Sequence, residues 1–210
     1  MSLGSYSRAL THLLPRSDPK GPLKKPVHPA AIHFPIAFIF LAVGLDVLHA
    51  LSPRLPARIT NSLPIATDMT RASYFLLSLG LLFSIPAITT GIGEAKKAID
   101  KQGLYEADGK TIKTKFKGVI AHALANDIVV AVMTYVWYCR RSAAKETLAG
   151  KLGAVVGATP EAAYTPMAWM VTVEALMLAL QLFAANIGGS LTYNYGFGMA
   201  IGSGASRKTQ

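Results

Sequence analysis

Four stretches of this chain stay apolar for the length of a membrane crossing, and its polar positions gather in the gaps between them. They are residues 30–51, 74–92, 118–139 and 167–187. Each is close to the ~20 residues a helix needs to cross the hydrocarbon core. The stretch 74–92 holds no Asp, Glu, Lys, Arg or His. Apolar residues run all round each segment, whereas a soluble bundle would leave a polar face on every helix. Tyr74, Trp137, Tyr138 and Trp169 lie near span ends, as an interfacial aromatic belt requires. The pattern predicts an all-α protein, a four-helix transmembrane bundle with both termini on the same side. The membrane domain is read as residues 28–199, with a basic tail at 1–27 and a flexible tail at 200–210. Pro53, Pro56 and Pro64 predict an irregular first loop. The Ala- and Gly-rich residues 140–166 leave room for a short helix. The Gly-rich run from Gly188-Gly189 to Gly204 reads as a flexible exit from the last span.

Composition supports the membrane reading. Hydrophobic residues make up 51% and charged residues only 15%, against roughly 25% charged in an average globular domain. The net charge is nonetheless +10, from 21 Lys and Arg against 11 Asp and Glu. These charges avoid the apolar stretches, which points to basic loops beside a bilayer and to no nucleic-acid partner. Fourteen of the 21 lie in the N-terminal tail, in residues 93–117 and in the C-terminal tail; seven lie in the other two loops. The positive-inside rule then places both termini in the cytoplasm, or in the matrix if the membrane is mitochondrial. Residues 1–29 contain no apolar core of a secretory signal. They lack acidic residues before Asp18 and carry Arg8 and Arg16 among leucines, like a mitochondrial presequence, although a plain basic tail explains this equally well. Cys139 is the single cysteine, so no internal disulfide forms. No P-loop, GxSxG or HExxH motif is present, and Gly196-Phe-Gly198 lacks the context of a dinucleotide fold.

Ionisable groups inside a span are costly, so each one needs a reason. The first and third spans begin at the same interface, with His33 three residues inside one and His122 four inside the other. At 1.5 Å per residue both lie ~5–6 Å deep. Asn126 follows His122 at i+4 on the same face. Thr89, Thr90 and Asn186 reach a similar level. Pro35 opens the helix just after His33, and Pro86 does so one turn before Thr89. The opposite side collects Asp46, His49 and Glu174, with Gln181 on the face of Glu174 and Asp127 nearest the middle. That set reads as interhelical hydrogen bonding, with at least one of Asp127 and Glu174 neutral or paired.

The stretch His28-Pro29-Ala-Ala-Ile-His33-Phe34-Pro35-Ile-Ala resembles the opening of the membrane-protein family called domain of unknown function 2231. Thr90-Gly91, His122-Ala-Leu-Ala-Asn126 and Gly188-Gly189-Ser-Leu191-Thr-Tyr193 continue the match in order. The resemblance implies a four-helix membrane domain. In bacteria such domains are sometimes joined to Rieske iron–sulfur modules, which hints at redox work. Ser190 stands where the family's last motif usually has Glu, and Tyr195 where it has His, so no role for that carboxylate or histidine carries over.

Two functions fit these residues. One is a b-type haem protein moving electrons within the membrane. His33 and His122 would be the axial ligands, with His28 a substitute nearer the surface and Asn126 orienting an imidazole or propionate. Lys24, Lys25, Lys115 and Lys117 would pair with the propionates. Its partners would be the lipid bilayer and a redox partner. The other is a non-enzymatic subunit of a larger membrane complex, or a small transporter, that uses the same polar residues as interhelical contacts.

Overall fold

The computed structural model describes residues 27–153 and 164–197. They form four long helices: α1 (Val27–Leu51), α2 (Ala66–Gln102), α3 (Thr114–Gly153) and α4 (Ala168–Tyr195). Each contains an apolar window long enough to cross a membrane, and only 22–28% of each window is buried within the chain. The rest faces outward: Phe34, Phe75, Ile85, Leu124, Leu176 and Phe183 are all exposed. So large and continuous an apolar surface calls for lipid rather than water. The protein is an integral, multi-pass membrane protein.

α1 packs along α2 and α3 along α4, while α1 meets α4 and α2 meets α3 across the bundle. Ile39, Ala42 and Val43 of α1, Leu77 of α2, and Val129 and Met133 of α3 form the central core. Lipid tails are as apolar as leucine, so close packing and hydrogen bonds must hold such helices together. Gly80 illustrates the packing: a Cβ there would come within 2.7 Å of Ile39 Cγ1. Trp137 Nε1 supplies a bond, donating to Ser78 Oγ at 2.8 Å.

α2 and α3 overrun the apolar stretches that announced them. Apolar length measures hydrocarbon thickness, and nothing stops a helix continuing with polar residues beyond it. Residues 93–102 and 114–117, expected in a loop, are therefore helical. The true turn is short, with Gly103 and Gly109 at φ of 70° and 68°. Asp108 accepts from the backbone N–H groups of Lys110 and Thr111 and from the Thr111 hydroxyl. These bonds, the Thr111 hydroxyl first, hold its carboxyl below the usual carboxylate range. Lys113 and Lys115 both bond Gln102, tying the ends of the two helices.

The first loop is irregular, as expected, with one 3₁₀ turn (Ser52–Arg54) and one turn of helix (Ala57–Thr60). In the third connection α3 simply continues to Gly153, and residues 154–163 lie outside the described part. The flexible exit expected from Gly188 onward is corrected. Gly188 and Gly189 are inside α4, which ends at Gly196. Gly196 takes the left-handed conformation (φ 68°), and its N–H and that of Phe197 cap the carbonyls of Thr192 and Leu191. The tails, with Lys24, Lys25 and residues 200–210, lie outside the described residues.

The two hairpins repeat one plan. Moving 94 residues on from buried Pro35, Ile39, Ala42 and Asp46 reaches buried Val129, Met133, Val136 and Arg140. Moving 97 on from buried Ser73, Leu77, Ser84 and Ala87 reaches buried Met170, Glu174, Gln181 and Ala184. The same offsets relate His28 to His122 and Gly91 to Gly188. This is the pattern of parallel repeats related by an axis along the bundle.

Candidate functional site

A cavity of about 230 Å³ lies between the hairpins, lined by residues of all four helices. Its walls run from His28 to Ile36 along α1, a depth of ~12 Å at 1.5 Å per residue. Ile88 and Ile92 of α2 and Ala123 and Asp127 of α3 line it and are also exposed, so it opens to the bundle surface between those helices. The lining is mainly apolar, with His28, His122, Asn126, Ser84, Gln181, Glu94, Asp127 and Thr192 as its polar residues. Few polar groups in an apolar cleft is the usual make-up of a small-molecule or cofactor site.

The two histidines occupy equivalent positions and are held in the same way. His28 Nδ1 lies 3.0 Å from the Ala87 carbonyl oxygen, and His122 Nδ1 lies 2.8 Å from that of Ala184. A carbonyl only accepts, so Nδ1 carries the hydrogen in each neutral ring and Nε2 keeps its lone pair. Neither Nε2 has a hydrogen-bond partner among the described residues. Asn126 Nδ2 reaches His122 Nδ1 only at 3.5 Å, too long to compete with its 2.8 Å bond to the His122 carbonyl. Each ring lies against a glycine one turn beyond the accepting carbonyl. A Cβ on Gly91 would sit 2.8 Å from His28 Cε1, and one on Gly188 would sit 2.8 Å from His122 Cε1. Glycine at these two positions is what lets the imidazoles come so close to the neighbouring helix. The His28 backbone N–H donates to Glu94 Oε1 at 3.2 Å, which fixes the start of α1 on α2.

His33 does not join this pair. It is exposed, does not line the cavity, and bonds the Pro29 carbonyl one turn back on its own helix. Matched depth selected it, but helix rotation turns it away. Counting by the repeat, its counterpart is Asp127, also exposed. Pro35 lies in the cavity wall and is buried, while Pro86 is exposed on an unbroken α2. Thr90 takes part through Oγ1, 3.2 Å from His28 Nδ1; Thr89 and Asn186 are exposed outside the cavity. Lys117 is exposed in the first turn of α3, and Lys115 is occupied by Gln102 and by the Phe116 ring. Ser190 and Tyr195 do not line the cavity either.

The opposite end of the bundle holds an ion cluster that sequence reasoning missed, because Arg140 was counted as a loop residue. Arg140 is 2% exposed. Its Nη1 meets Asp46 Oδ2 at 2.6 Å, Ser73 Oγ at 3.1 Å and Glu174 Oε1 at 3.4 Å. Its Nη2 donates to the carbonyls of Thr70 and Tyr164 at 3.2 and 2.9 Å. Ser73 also donates to Asp46. The signal was available: Asp46 and Arg140 sit at equivalent places in the repeat, facing each other from α1 and α3. Asp127, by contrast, has no hydrogen bond or ion pair among the described residues and stands at the cavity mouth.

Fold and site together define a four-helix membrane protein built from two related hairpins around an apolar, histidine-bearing cavity. The chain belongs to the family described as predicted membrane protein (DUF2231), whose family model matches residues 24–200. No curated protein and no solved structure matches it.

Proposed function

We propose that this protein is a b-type haem protein that carries electrons within the membrane, with His28 and His122 as the axial ligands. The observation that carries the reading is the matched pair of imidazoles, each with Nδ1–H on a backbone carbonyl and Nε2 left free. This is how metal-ligating histidines are oriented: the second nitrogen is tied down and the ligating one is made more basic. Among the described residues no three His, Cys, Asp or Glu gather as a metal site. A zinc-type ion needs three or four protein ligands, whereas haem iron needs only one or two axial ones. Haem, when bound, supplies a one-electron redox centre.

The remaining residues then have defined tasks. Gly91 and Gly188 give the imidazoles room, and Ala87 and Ala184 set their tautomer. Pro35, Ile36 and Val129 keep water from the deep wall. Lys24, Lys25 and exposed Lys117 are proposed to pair with carboxylates outside the mouth. Haem content per chain tests the reading, measured after expression with ample haem and purification in mild detergent. Stoichiometric haem is expected; folded, monodisperse and colourless protein would contradict it.

The Arg140 cluster favours a second reading, a non-enzymatic component of a larger membrane complex. It joins α1, α2, α3 and α4 through one side chain, as interhelical contacts alone require. Full haem loading separates the two, since a structural subunit has no use for free imidazole nitrogens.

A further inference from the structure

The charges buried at the Arg140 end of the bundle do not balance. Arg140 brings one positive charge, and the two carboxyl groups it touches, Asp46 and Glu174, would bring two negative ones. All three residues are 2% exposed or less. From α1 the cluster is faced by Asp46, and His49 lies half-buried one turn on, with no side-chain bond to it. From α2 come the Ser73 hydroxyl, the Thr70 carbonyl and the Tyr74 ring, whose centre is 5.8 Å from the guanidinium. From α3 comes Arg140, from α4 Glu174, and from the segment before α4 the Tyr164 carbonyl. Arg71 and Arg141 are exposed, and Arg141 lies over Trp137. Among the described residues no second cation enters the cluster.

The oxygen atoms tell the same story. Glu174 Oε2 is buried and has no hydrogen-bond partner among the described residues. Both carboxyl groups nevertheless converge on the same nitrogen, Arg140 Nη1, Asp46 at 2.6 Å and Glu174 at 3.4 Å. Ionised carboxylates only accept, so two of them crowded on one cation can share a bond only when one carries a proton. The repeat singles out the surplus group. Asp46 and Arg140 are equivalent positions and balance each other, whereas Glu174 stands where α2 has Leu77. A purely structural ion pair was complete without it.

We propose that Asp46 and Glu174 form a proton-binding site in which one proton, shared between the two carboxyl groups, balances the cluster around Arg140. Excess charge in a low-dielectric interior is strongly unfavourable, so a proton is the natural third partner. Gln181 lies seven residues further along α4 on the same face, ~10 Å away. It lines the cavity, and its buried Oε1 also has no partner among the described residues. Glu174 and Gln181 thus mark the two ends of one face of α4, with Met177 and Leu178 packed on the apolar core between them. The proposal needs no particular occupant of that cavity.

Infrared spectroscopy of the full-length protein in detergent tests it. At neutral pH the wild type should show the C=O stretch of a buried protonated carboxyl group, shifted in deuterium oxide. Glu174→Gln and Asp46→Asn should each remove it, since either leaves one carboxylate for one guanidinium. Asp127→Asn should leave it in place. Should either variant fail to fold, a pH titration of the wild type suffices: the band should fade reversibly as pH rises. Absence of the band at neutral pH, or its survival in both folded variants, would overturn the proposal. So would its replacement by thermal stabilisation that depends on sodium, the mark of a bound metal cation in the proton's place.

Discussion

His122 Nδ1 lies 2.8 Å from the carbonyl oxygen of Ala184, and the glycine one turn further on, Gly188, has no side chain to push the ring away. The first hairpin repeats the arrangement with His28, Ala87 and Gly91 at 3.0 Å. A single histidine bonded to a carbonyl is ordinary in a membrane bundle. The same three-residue device built twice, with both rings in one cavity, points to a ligand that both halves hold.

Gly188→Ala should therefore act on His122. The new Cβ would stand 2.8 Å from Cε1, so the ring must move and lose its bond to Ala184. Overpacking of this kind costs ~1–3 kcal/mol. Gly189→Ala, at a helical position with nothing within 4 Å, should be neutral or slightly stabilising. Thermal denaturation in detergent compares the two. Equal effects would mean that the glycine recess has no role.

Arg140 should be the most sensitive position at its end of the bundle. Arg140→Leu leaves Asp46 and Glu174 without their cation, and breaking such a pair costs ~3–5 kcal/mol. Arg140→Lys should rescue only part of this, because one ammonium cannot reach the carboxylates and the carbonyls of Thr70 and Tyr164 together. The apparent melting temperature of each variant reads the effect. A fully stable Arg140→Leu protein would show that the cluster does not hold the bundle.

Sidedness is open to a direct test. From the bias of Lys and Arg, fourteen against seven, the positive-inside rule predicts the cavity end in the cytoplasm or matrix. Single cysteines at Ser2, Gly109 and Ser206 in a Cys139→Ala background should share their reactivity toward an impermeant thiol reagent. A cysteine at Thr60 should behave oppositely. Gly109 tracking with Thr60 would contradict the four-span order.

The spans were legible because hydrophobic length is a one-dimensional property that needs no knowledge of neighbours. The same property misjudged helix ends, as α2 and α3 show, since hydropathy sees the bilayer and not the helix. Depth was legible too, and it brought His122 and Asn126 to the cavity. Rotation was not: His33 and His28 both lie near the start of α1, and only packing against α2 shows that His28 faces inward. Arg140 was misread for a related reason. A basic residue beyond an apolar stretch looks like a loop charge until its partners on other helices are known. The repeat was readable all along, in His28 and His122 and in the paired Ala-x-x-x-Gly segments, but its two offsets differ by three residues and few side chains match.

The most direct test of the account is the absorption spectrum of the purified protein and three histidine variants. Wild type should show a Soret band and, on reduction, sharp α and β bands of six-coordinate haem. His28→Ala and His122→Ala should each abolish or shift them, because each removes one axial nitrogen. His33→Ala, five residues along α1 but outside the cavity, should leave them unchanged. Loss of the bands in His33→Ala with His28→Ala intact would contradict the assignment of the ligand pair. Folded wild type without any such bands would contradict haem binding itself.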